Sequence, residues 1–565
     1  MSAPLRIVLV LHPCEPLADW VSRLLVRLID DPAFSFVGCM TGERMRIAHK
    51  PLPMILKIER SLILMRYAKY HSAKASDFVS GLEKIDVETA GRRADLVLAL
   101  GDRRLSDADL SALDVPEWSL LLANAPPEHV GEAAMAAILA KAPLVPVTLT
   151  ERTGTSPAPQ PLCTAQYNVK PSAMLLAEFL KEKAVLFLHR MLMCRARGEN
   201  VNTGAVLAGD GPSVAAAPSG SDVARYTLGL FRVIGQRASE ALSDRLGRPT
   251  FSWELRIGEG TPEDLAPQNG RKLLGLPQSV ADPFLFAHGG ALYVFYEAIL
   301  RPDQNAWIEV ARVDGDRLEP LGAVLQGPHH ISFPHVFAHE GEVYMMPETQ
   351  QLNRLEVWRA RNFPLDWELH ATALHGRCPA DSSLLQHDGQ WWLFSNLSDH
   401  HAMQEHGSEL YLFAVDGPDL KQLTHHPANP IVIGSNVARN AGPVTKMNGR
   451  LYRPSQNNSH GIYGYGLNLM RIDRLDRTGY SETLVKSITP DMLPEAVGVH
   501  HISFSGGRYV MDVYRRSSDQ SHVRPGLSRR LQASIGSFGQ GRSGGCKAIP
   551  PAPIKSDSRR QKDRA

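Results

Sequence analysis

The sequence predicts a multidomain α/β plus all-β protein, in which an N-terminal α/β (Rossmann-like) domain is followed by a five-bladed β-propeller. Residues 1–195 alternate short β-branched runs with helical patterns, which is typical of a parallel sheet covered by helices. Residues 250–516 instead contain short runs of Tyr, Trp, Phe and Val between Asp-Gly-type turns, as an all-β domain requires. A hairpin-like pattern recurs within this second region, and repeats of about 40–50 residues are typical of propellers.

Composition excludes several classes of partner. The chain has 565 residues, which is more than one hydrophobic core accommodates. Its 61 Lys and Arg residues nearly balance 59 Asp and Glu residues, and a net charge of +2 gives no electrostatic basis for binding nucleic acid. The six cysteines lack CxxC spacing, which argues against a zinc site or a disulfide framework and fits a reducing compartment. We therefore expect a cytoplasmic protein without a nucleic-acid partner.

The first domain is expected to contain a parallel sheet. The predicted strands are 6–12, 94–101, 119–125 and 143–149, and helical patterns between them include 17–30 and 131–142. No GxGxxG follows the first strand and no P-loop occurs, so we predict no cofactor. Residues 173–193 are apolar but carry six charged or titratable side chains. We expect an amphipathic helix there and at most peripheral membrane association, because those charges make a bilayer span costly.

Four segments follow from these patterns. The α/β domain is placed at 1–195, and the Gly/Ala/Ser/Pro-rich stretch 196–222 is predicted to be a flexible linker. The propeller is placed at 223–516, with a lead-in before its blades start at about residue 280. Residues 517–565 are rich in Ser, Gly and Arg, and we expect a disordered basic tail because they cannot bury enough apolar area to fold.

Five stretches of the propeller region align with one another. They begin at residues 282, 333, 381, 441 and 500, and read "DPFLFAHGGALYVFYEAI", "FPHVFAHEGEVYMMPETQ", "DSSLLQHDGQWWLFSNLS", "AGPVTKMNGRLYRPSQNN" and "HHISFSGGRYVMDVYRR". The alignment places Asp282 on Asp381, and it places Glu297 on Glu348. The innermost strand of every blade lines the central channel of a propeller. We therefore expect these acids to converge at one mouth of the channel.

Converging carboxylates beside polar and aromatic side chains predict a sugar site. Glycosidic chemistry needs two carboxyl groups about 5–10 Å apart, and we predict Asp282, Glu348 and Asp381 as the catalytic groups. The predicted substrate-binding residues are Glu297, His335, Asn396, Arg439, Arg453, Gln456, Tyr463 and His500. The alternative is that the acids bond neighbouring backbone amides and hold the blades together. The histidines of this region have no HxH or HExxH spacing, so no metal site is predicted.

The β region resembles a known family, the N-terminal propeller domain of plant glucosamine inositolphosphorylceramide transferases and its bacterial relatives. The stretches that carry the likeness are "ADPFLF" with "YVFYE", "ISFPHVFAHEGEVYMMPET", "ADSSLLQHDGQWWLFSN", "ARNAGPV" with "GRLYRPSQNN", and "GVHHISF". The region is also distantly similar to five-bladed glycoside hydrolases of the arabinanase, xylosidase and levansucrase type. That likeness implies a nucleophile or base at Asp282 and an auxiliary acid at Asp381.

Two departures limit what the resemblance implies. The hydrolases have a general-acid Glu at the start of the fourth inner strand, where this sequence has "NAGP" (440–443). The plant proteins carry a separate glycosyltransferase domain, and the resemblance does not extend to it. The N-terminal region is faintly similar to formyltransferase-type domains, but it lacks their His-x-Ser-Leu-Leu-Pro stretch, so a degenerate copy is implied.

Three functional hypotheses follow. The first is a carbohydrate-active enzyme in cell-surface glycan or polysaccharide metabolism that transfers or hydrolyses a glycosyl group, with a glycan or nucleotide sugar as its substrate. The second is a non-catalytic glycan-binding or scaffold module that works with a separate glycosyltransferase, which the missing acid of blade four favours. The third is an activity in the N-terminal domain, such as folate-dependent modification of an amino sugar.

Overall fold

A computed structural model shows two folded units. It describes residues 3–11, 16–44, 52–66, 73–199, 218–245, 251–276, 279–299, 305–398 and 405–516. Most of the predicted linker 196–222 and the whole predicted tail 517–565 lie outside the described residues. The prediction of an α/β domain followed by a five-bladed propeller is confirmed.

The N-terminal unit is built from eight strands and eight helices among the described residues. In chain order they are β1 (Leu5–Val10), α1 (Asp19–Ile29), β2 (Phe34–Met40), β3 (Glu43–Arg44), α2 (Met54–Arg66), α3 (Ala73–Gly81), α4 (Val87–Arg93), β4 (Leu96–Ala99), β5 (Arg103–Arg104), α5 (Asp107–Ala112), β6 (Glu117–Leu122), α6 (Val130–Ala140), β7 (Leu144–Thr153), β8 (Ser156–Asn168), α7 (Ala173–Ala196) and α8 (Gly220–Arg245).

The main sheet of this unit is mixed, which corrects the expectation of a parallel sheet. Its order is β2-β1-β4-β6-β7-β8, with parallel pairs as far as β6 and antiparallel pairs beyond it. The chain turns from β7 to β8 within two residues, which is too short for the crossover that a parallel neighbour requires. Apolar side chains from α1, α6 and α7 cover one face of the sheet, and those from α4 and α5 cover the other.

Helix α7 is a core helix, so the prediction of an amphipathic helix at 173–193 is wrong. The helix is confirmed, but most of its side chains are buried, including the charged Glu182, Lys183 and Arg190. Arg23 of α1 pairs with Glu182, which compensates one of these buried charges. Among the described helices, none is both long and apolar enough to span a bilayer.

The propeller consists of five sheets around one axis. Its strands are β9 (Phe251–Glu259), β10 (Arg271–Lys272), β11 (Ser279–His288), β12 (Ala291–Ile299), β13 (Trp307–Asp314), β14 (Arg317–Leu325), β15 (Ser332–His339), β16 (Glu342–Glu348), β17 (Leu355–Asn362), β18 (Asp366–Ala373), β19 (Pro379–His387), β20 (Gln390–Leu397), β21 (Glu409–Val415), β22 (Leu423–His425), β23 (Val432–Ile433), β24 (Thr445–Met447), β25 (Arg450–Asn457), β26 (Gly466–Leu475), β27 (Tyr480–Ile488), β28 (Ala496–Gly498), β29 (Ile502–Ser505) and β30 (Arg508–Arg516). Blades one to four start with β11, β15, β19 and β24.

Blade five closes the ring with a strand from the beginning of the propeller. Strand β9 pairs antiparallel with β30 along its whole length, from Phe251 opposite Arg516 to Glu259 opposite Arg508. The lead-in expected before residue 280 is therefore part of a blade. Residues 220–245 are not part of it, because α8 packs on the helices of the N-terminal unit.

The inner strands of blades one, two and three share a bulge. The register with the second strand shifts between Ala281 and Phe284, and it shifts at the corresponding places in β15 and β19. One residue of each bulge has a positive φ: Asp282 (47°), Phe333 (47°) and Asp381 (43°). The left-handed conformation costs a non-glycine residue about 1–2 kcal/mol. Because Phe333 adopts it too, the bulge belongs to the blade architecture and is not specific to the acids.

The two units meet at the loops above blades three and four. Lys183 of α7 is fully buried and lies 2.7 Å from Glu405 and 2.9 Å from Glu409 of the propeller. The end of β8 contacts the same side, where the carbonyl of Gln166 accepts from the amide of Ser435 at 2.8 Å. The N-terminal unit therefore covers part of the face on which the second strands of the blades end.

Candidate functional site at the channel mouth

The blades are joined at the mouth by polar side chains that accept backbone amides. Oδ2 of Asp512 in blade five accepts from the amide of Asp282 in blade one at 3.0 Å. Asp282 in turn accepts from the amide of Phe333 in blade two at 3.2 Å. The same device recurs between later blades, where Glu348 accepts from Asp381 N at 3.1 Å and Asn396 accepts from Asn440 N at 2.9 Å. These acids therefore have a structural role whatever else they do.

Arg439 neutralises a pair of buried acids. Its Nε lies 2.5 Å from Oδ2 of Asp381, and its Nη2 lies 3.7 Å from Oε2 of Glu348. Burial raises the pKa of Asp381 to about 8, and Glu348 adds to the rise while Arg439 opposes it. Two neighbouring carboxyl groups repel each other when both are ionised, which favours a proton on Asp381 even though the guanidinium opposes it. Asp381 is therefore suited to donate a hydrogen bond at neutral pH.

His500 lies between two carboxylates on the other side of the mouth. Its Nδ1 is 2.6 Å from Asp512, and its Nε2 is 3.6 Å from Asp282. Burial lowers the pKa of His500, but the two acids outweigh it and raise the pKa to about 9. Trp253 of β9 stacks on the imidazole with ring centroids 4.2 Å apart. His500 is therefore a cation at neutral pH. Its position is fixed by the ion pair with Asp512 and by the stacking of Trp253 on its ring.

The charges of the mouth nearly balance. A second imidazole, His330, lies 3.2 Å from Glu297, and despite burial this contact raises its pKa to about 9. Burial raises the pKa of Asp282 well above its ordinary range, with Glu297 and Asp381 adding to the rise. Five carboxyl groups thus face two imidazoliums and one guanidinium, and the two carboxyls with raised pKa values, Asp282 and Asp381, account for the excess. Protonated and ionised carboxyl groups lie side by side, which provides both donors and acceptors.

A loop held by the N-terminal unit covers this cluster. The ring of Tyr463 lies over the guanidinium of Arg439, 5.0 Å from its centre, and it contacts the ring of His500 edge-on. Asn168, the last residue of β8, accepts from the amide of Gly461 at 2.8 Å and donates to the carbonyl of Ile462 at 3.0 Å. Tyr463 is therefore positioned by both units.

The structure brings together most of the predicted site residues. Seven of them make the contacts described above, namely Asp282, Glu297, Glu348, Asp381, Arg439, Tyr463 and His500. Gln456 joins them, since its side-chain nitrogen lies 3.4 Å from the hydroxyl of Tyr463. The roles predicted for these residues in catalysis and substrate binding stay predictions.

Three predicted residues lie apart from the cluster. His335 is buried in the channel wall, where its Nδ1 accepts from the amide of Leu384, and burial lowers its pKa to about 3. Asn396 is buried between blades three and four, with its amide donating to two backbone carbonyls. Arg453 is fully buried inside blade four, 2.5 Å from Glu482. The polar groups of all three side chains thus bond to other groups of the protein.

Sequence reasoning missed four contributors to the site. They are His330, Asp512, Trp253 and Asn168. Asp512 accepts the amide of Asp282 as Glu348 accepts that of Asp381. Counted from the hairpin turn, however, it lies two residues before the place of Glu297, which Tyr514 occupies, so aligning the fifth repeat does not find it. His330 was visible as one of several paired histidines, but nothing in the sequence places it beside Glu297. Trp253 and Asn168 reach the mouth only through ring closure and the contact between the units.

One group of side chains has the arrangement of a metal site. Ligand atoms of Asp282, His500 and Asp512 lie within 4.8 Å of one another, and all three residues are buried. Two carboxylates and one imidazole suit a divalent cation in their chemistry. The 2.6 Å contact between His500 and Asp512 is an ion pair, and a cation here would compete with the protonated imidazole.

The propeller matches a family of known proteins. The family model described as "Glucosamine inositolphosphorylceramide transferase 1, N-terminal" matches residues 273–519. The resemblance predicted from the sequence is confirmed. The match covers the propeller from just before blade one and does not include the α/β unit.

Similar curated proteins come from plants. Glucosamine inositolphosphorylceramide transferase 1 of Oryza sativa subsp. japonica is 38% identical over 216 residues, which cover 37% of this chain and 28% of the relative. The protein of the same name from Arabidopsis thaliana is 36% identical over 217 residues, with the same shares. The chain thus spans less than a third of the length of these relatives.

Solved structures with partial similarity include two glycoside hydrolases. An exo-β-1,3-galactanase from Clostridium thermocellum has a TM-score of 0.32 and 14% identity, covering 46% of this chain and 61% of its own. A GH43_1 enzyme from Xanthomonas citri has the same TM-score and identity, covering 44% of this chain and 93% of its own.

Proposed function

We propose that the propeller binds a glycan at its channel mouth, as a carbohydrate-binding module in glycan metabolism. The observation that carries the proposal is the cluster itself, in which three cations and five carboxyl groups converge at the mouth and Tyr463 covers two of the cations, Arg439 and His500. Blade-to-blade bonding explains why acids are present, but it does not require His330, Arg439 or the aromatic loop. The names of the relatives, which specify glucosamine and inositolphosphorylceramide, support a sugar ligand.

The most accessible groups of the cluster fit a sugar. The side chain of His330 is 23% exposed and that of Arg439 is 14% exposed, whereas Asp282 and Asp381 are buried beneath them. A ligand at the mouth therefore meets cationic donors and the ring of Tyr463 first, and carboxyl groups below. Sugar rings stack on aromatic faces through their C–H groups, and their hydroxyls require both donors and acceptors.

The arrangement favours binding over catalysis. The fourth inner strand offers Asn440 near the place where the predicted general acid would stand, and its side chain donates to the carbonyl of Asp381 at 2.8 Å. Asp282, Glu348 and Asp512 each accept a backbone amide of a neighbouring strand, so moving any of them disturbs the ring. A partner glycosyltransferase would then supply the chemistry.

Glycosyl transfer or hydrolysis is the second candidate, and one observation favours it. The pKa of Asp381 is raised to about 8, so this carboxyl group carries a proton at neutral pH, as a general acid must. Glu348 lies beside it, which keeps both predicted acids within one hydrogen-bonded pair. Asp282 would serve as the base or nucleophile, but its raised pKa opposes ionisation.

Two variants and one control test the proposal. The full chain is applied to a glycan array that includes glucosamine-containing and inositol-phosphate-containing glycans, and ligands are confirmed by calorimetry. Arg439→Met and Asp282→Asn are expected to weaken binding by at least about tenfold, because the first removes a cationic donor and the second removes a carboxyl group of the cluster. Asp388→Asn is the matched control, since Asp388 lies exposed in the β19–β20 turn at the far end of blade three.

The outcomes separate the two candidates. Binding without release of a reducing sugar or transfer of a glycosyl group supports the binding module. Turnover by the wild type that Asp381→Asn reduces by about 10²–10⁴ supports catalysis instead. Failure of the wild type to bind any glycan contradicts both.

A further inference from the structure

We propose that helices α2 and α8 form a docking surface for an anionic membrane. The surface, called here the α2–α8 face, consists of the apolar side chains of these helices that point to solvent. Large exposed apolar side chains number eleven in the described part of the chain, and seven of them belong to this face. They are Met54 (71% exposed), Ile58 (49%), Leu62 (57%), Leu228 (53%), Phe231 (64%), Ile234 (54%) and Leu242 (59%).

The apolar side chains form one stripe on each helix. At 100° per residue, the four on α8 fall within an arc of about 120°. The remainder of α8 is accounted for: Tyr226 and its neighbours pack towards α6 and α2, while Arg225 and Arg232 lie on a polar side. On α2, Met54, Ile58 and Leu62 recur every four residues and also share one side. Neither stripe is covered by another described element.

The two helices are fixed to each other and to the fold. Glu59 of α2 accepts from the hydroxyl of Tyr226 of α8 at 2.6 Å, and its other oxygen accepts from Ser172 and from the amide of Met174. Burial is the largest cause that raises the pKa of Tyr226, so the phenol stays a neutral donor. The helices thus form a rigid platform, although most of α8 extends beyond the contact at Tyr226.

Charge complementarity identifies the occupant as an anionic surface. The described side chains of the two helices include the cations Lys57, Arg60, Arg225, Arg232 and Arg237, and no described side chain forms an ion pair with Lys57, Arg60 or Arg232. Their acids are the buried Glu59, Asp222, which pairs with Arg225, and Glu240. An exposed apolar stripe with flanking Arg and Lys is typical of helices that lie in the membrane interface, with the apolar side chains about 5–10 Å deep.

The α2–α8 face lies close to the channel mouth along the chain. Ser172 and Ala173, which contact Glu59 and Tyr226, follow Asn168 by four and five residues, and Asn168 holds the loop of Tyr463. Five extended residues span at most about 18 Å. Docking through this face would therefore bring the mouth near the lipid surface. The proposal does not depend on sugar binding.

Vesicle flotation of the full chain tests the proposal. Wild-type protein is mixed with vesicles of phosphatidylcholine alone, or with about 30% phosphatidylserine, at about 0.15 M salt. We expect it to float with the anionic vesicles and to bind the neutral vesicles at least about tenfold more weakly. The triple variant Phe231→Gln, Ile234→Gln, Leu242→Gln and the triple variant Lys57→Glu, Arg60→Glu, Arg232→Glu are each expected to lose at least about tenfold in binding.

Controls distinguish membrane docking through this face from non-specific hydrophobic adhesion and from dimerisation. Leu365→Gln with Leu369→Gln removes two exposed leucines of the propeller (43% and 44% exposed) and is expected to float like the wild type. An unchanged melting temperature shows that the substitutions act on the surface, which exposed positions permit. The proposal is overturned if the wild type does not float, or if the variants float equally well. It is also overturned if light scattering shows a dimer that Phe231→Gln dissociates, since the face then joins two copies.

Discussion

Arg439 and Asp381 make the shortest contact between a cation and an acid in the channel mouth, with 2.5 Å between Nε and Oδ2. The contact joins the loop between β23 and β24 to the bulge of blade three, and Glu348 of blade two lies 3.7 Å from the same guanidinium. Three blades therefore share one largely buried cation, whose side chain is 14% exposed. Its removal leaves two carboxyl groups in a space that solvent hardly reaches.

Substitution of Arg439 by Met is expected to lower the free energy of unfolding by about 3–5 kcal/mol near neutral pH, because it leaves the buried carboxyl groups of Asp381 and Glu348 without their cationic hydrogen-bond partner. Urea titration followed by circular dichroism measures the change. The double variant Arg439→Met, Asp381→Asn is expected to recover part of the loss. Equal stability of wild type and Arg439→Met would show that water reaches the acids and solvates them.

The pH dependence of stability follows from His500. Its pKa of about 9 in the folded protein lies above the ordinary value of 6.5. The stabilisation is therefore complete below pH 6.5 and is lost as the pH rises through about 9, and it amounts to about 3 kcal/mol. His330 and Asp381, whose pKa values are also raised, contribute in the same direction. We expect the free energy of unfolding to fall between pH 6.5 and 9.

Variants of two histidines show which group causes the decrease in the free energy of unfolding with pH. Between about pH 7.5 and 8.5, His500→Gln is expected to reduce the slope by the equivalent of nearly one proton. His335→Gln is expected to leave the slope nearly unchanged there, because His335 is neutral in both the folded and the unfolded protein at those pH values. Urea titrations at several pH values measure both slopes. A His500→Gln protein with the slope of the wild type would place the titration on another group.

The blade pattern could be predicted from the sequence because each blade is made of neighbours in the chain. Hairpins such as β11–β12 have alternating side chains and Gly turns, and these local features are repeated. The partner of β30 could not be predicted in this way, since β9 lies at the other end of the propeller and nothing local specifies a pairing over that distance. The mixed sheet of the first unit was missed because β8 is a polar, proline-containing edge strand.

The candidate site could be predicted only in part, and for a similar reason. The repeat placed Glu297 and Glu348 at one position, and in the structure both face the mouth. Arg453 was grouped with Gln456, although residues three apart point to opposite faces of a strand, which the sequence already implied. The burial of Lys183 could not be predicted from neighbouring residues, because its partners, Glu405 and Glu409, belong to the other folded unit.

Lys183 connects the two units through a buried ion pair. The substitution Lys183→Met leaves Glu405 and Glu409 beside an apolar side chain, and it is expected to destabilise the protein by about 3–5 kcal/mol. The triple variant Lys183→Met, Glu405→Gln, Glu409→Gln also removes the two unpaired carboxylates, so it should lose less stability than Lys183→Met. Thermal unfolding of the three proteins checks the order. A triple variant less stable than the single one would mean that the acids are stabilised by other contacts.

The strand that closes the ring predicts which fragments fold. A fragment of residues 246–516 keeps β9 opposite β30 and is expected to give a β-rich circular dichroism spectrum and a cooperative thermal transition. A fragment of residues 262–516 lacks β9 and leaves β30 with partners on one edge only, namely β28 and β29. It is expected to aggregate or unfold, because the other edge of this nine-residue strand then presents unpaired backbone groups. Both fragments equally lose the contacts of Lys183 and Asn168, which makes the longer one the matched control. Cooperative folding of the shorter fragment would show that four complete blades are enough for a stable fold and that the fifth blade does not need β9.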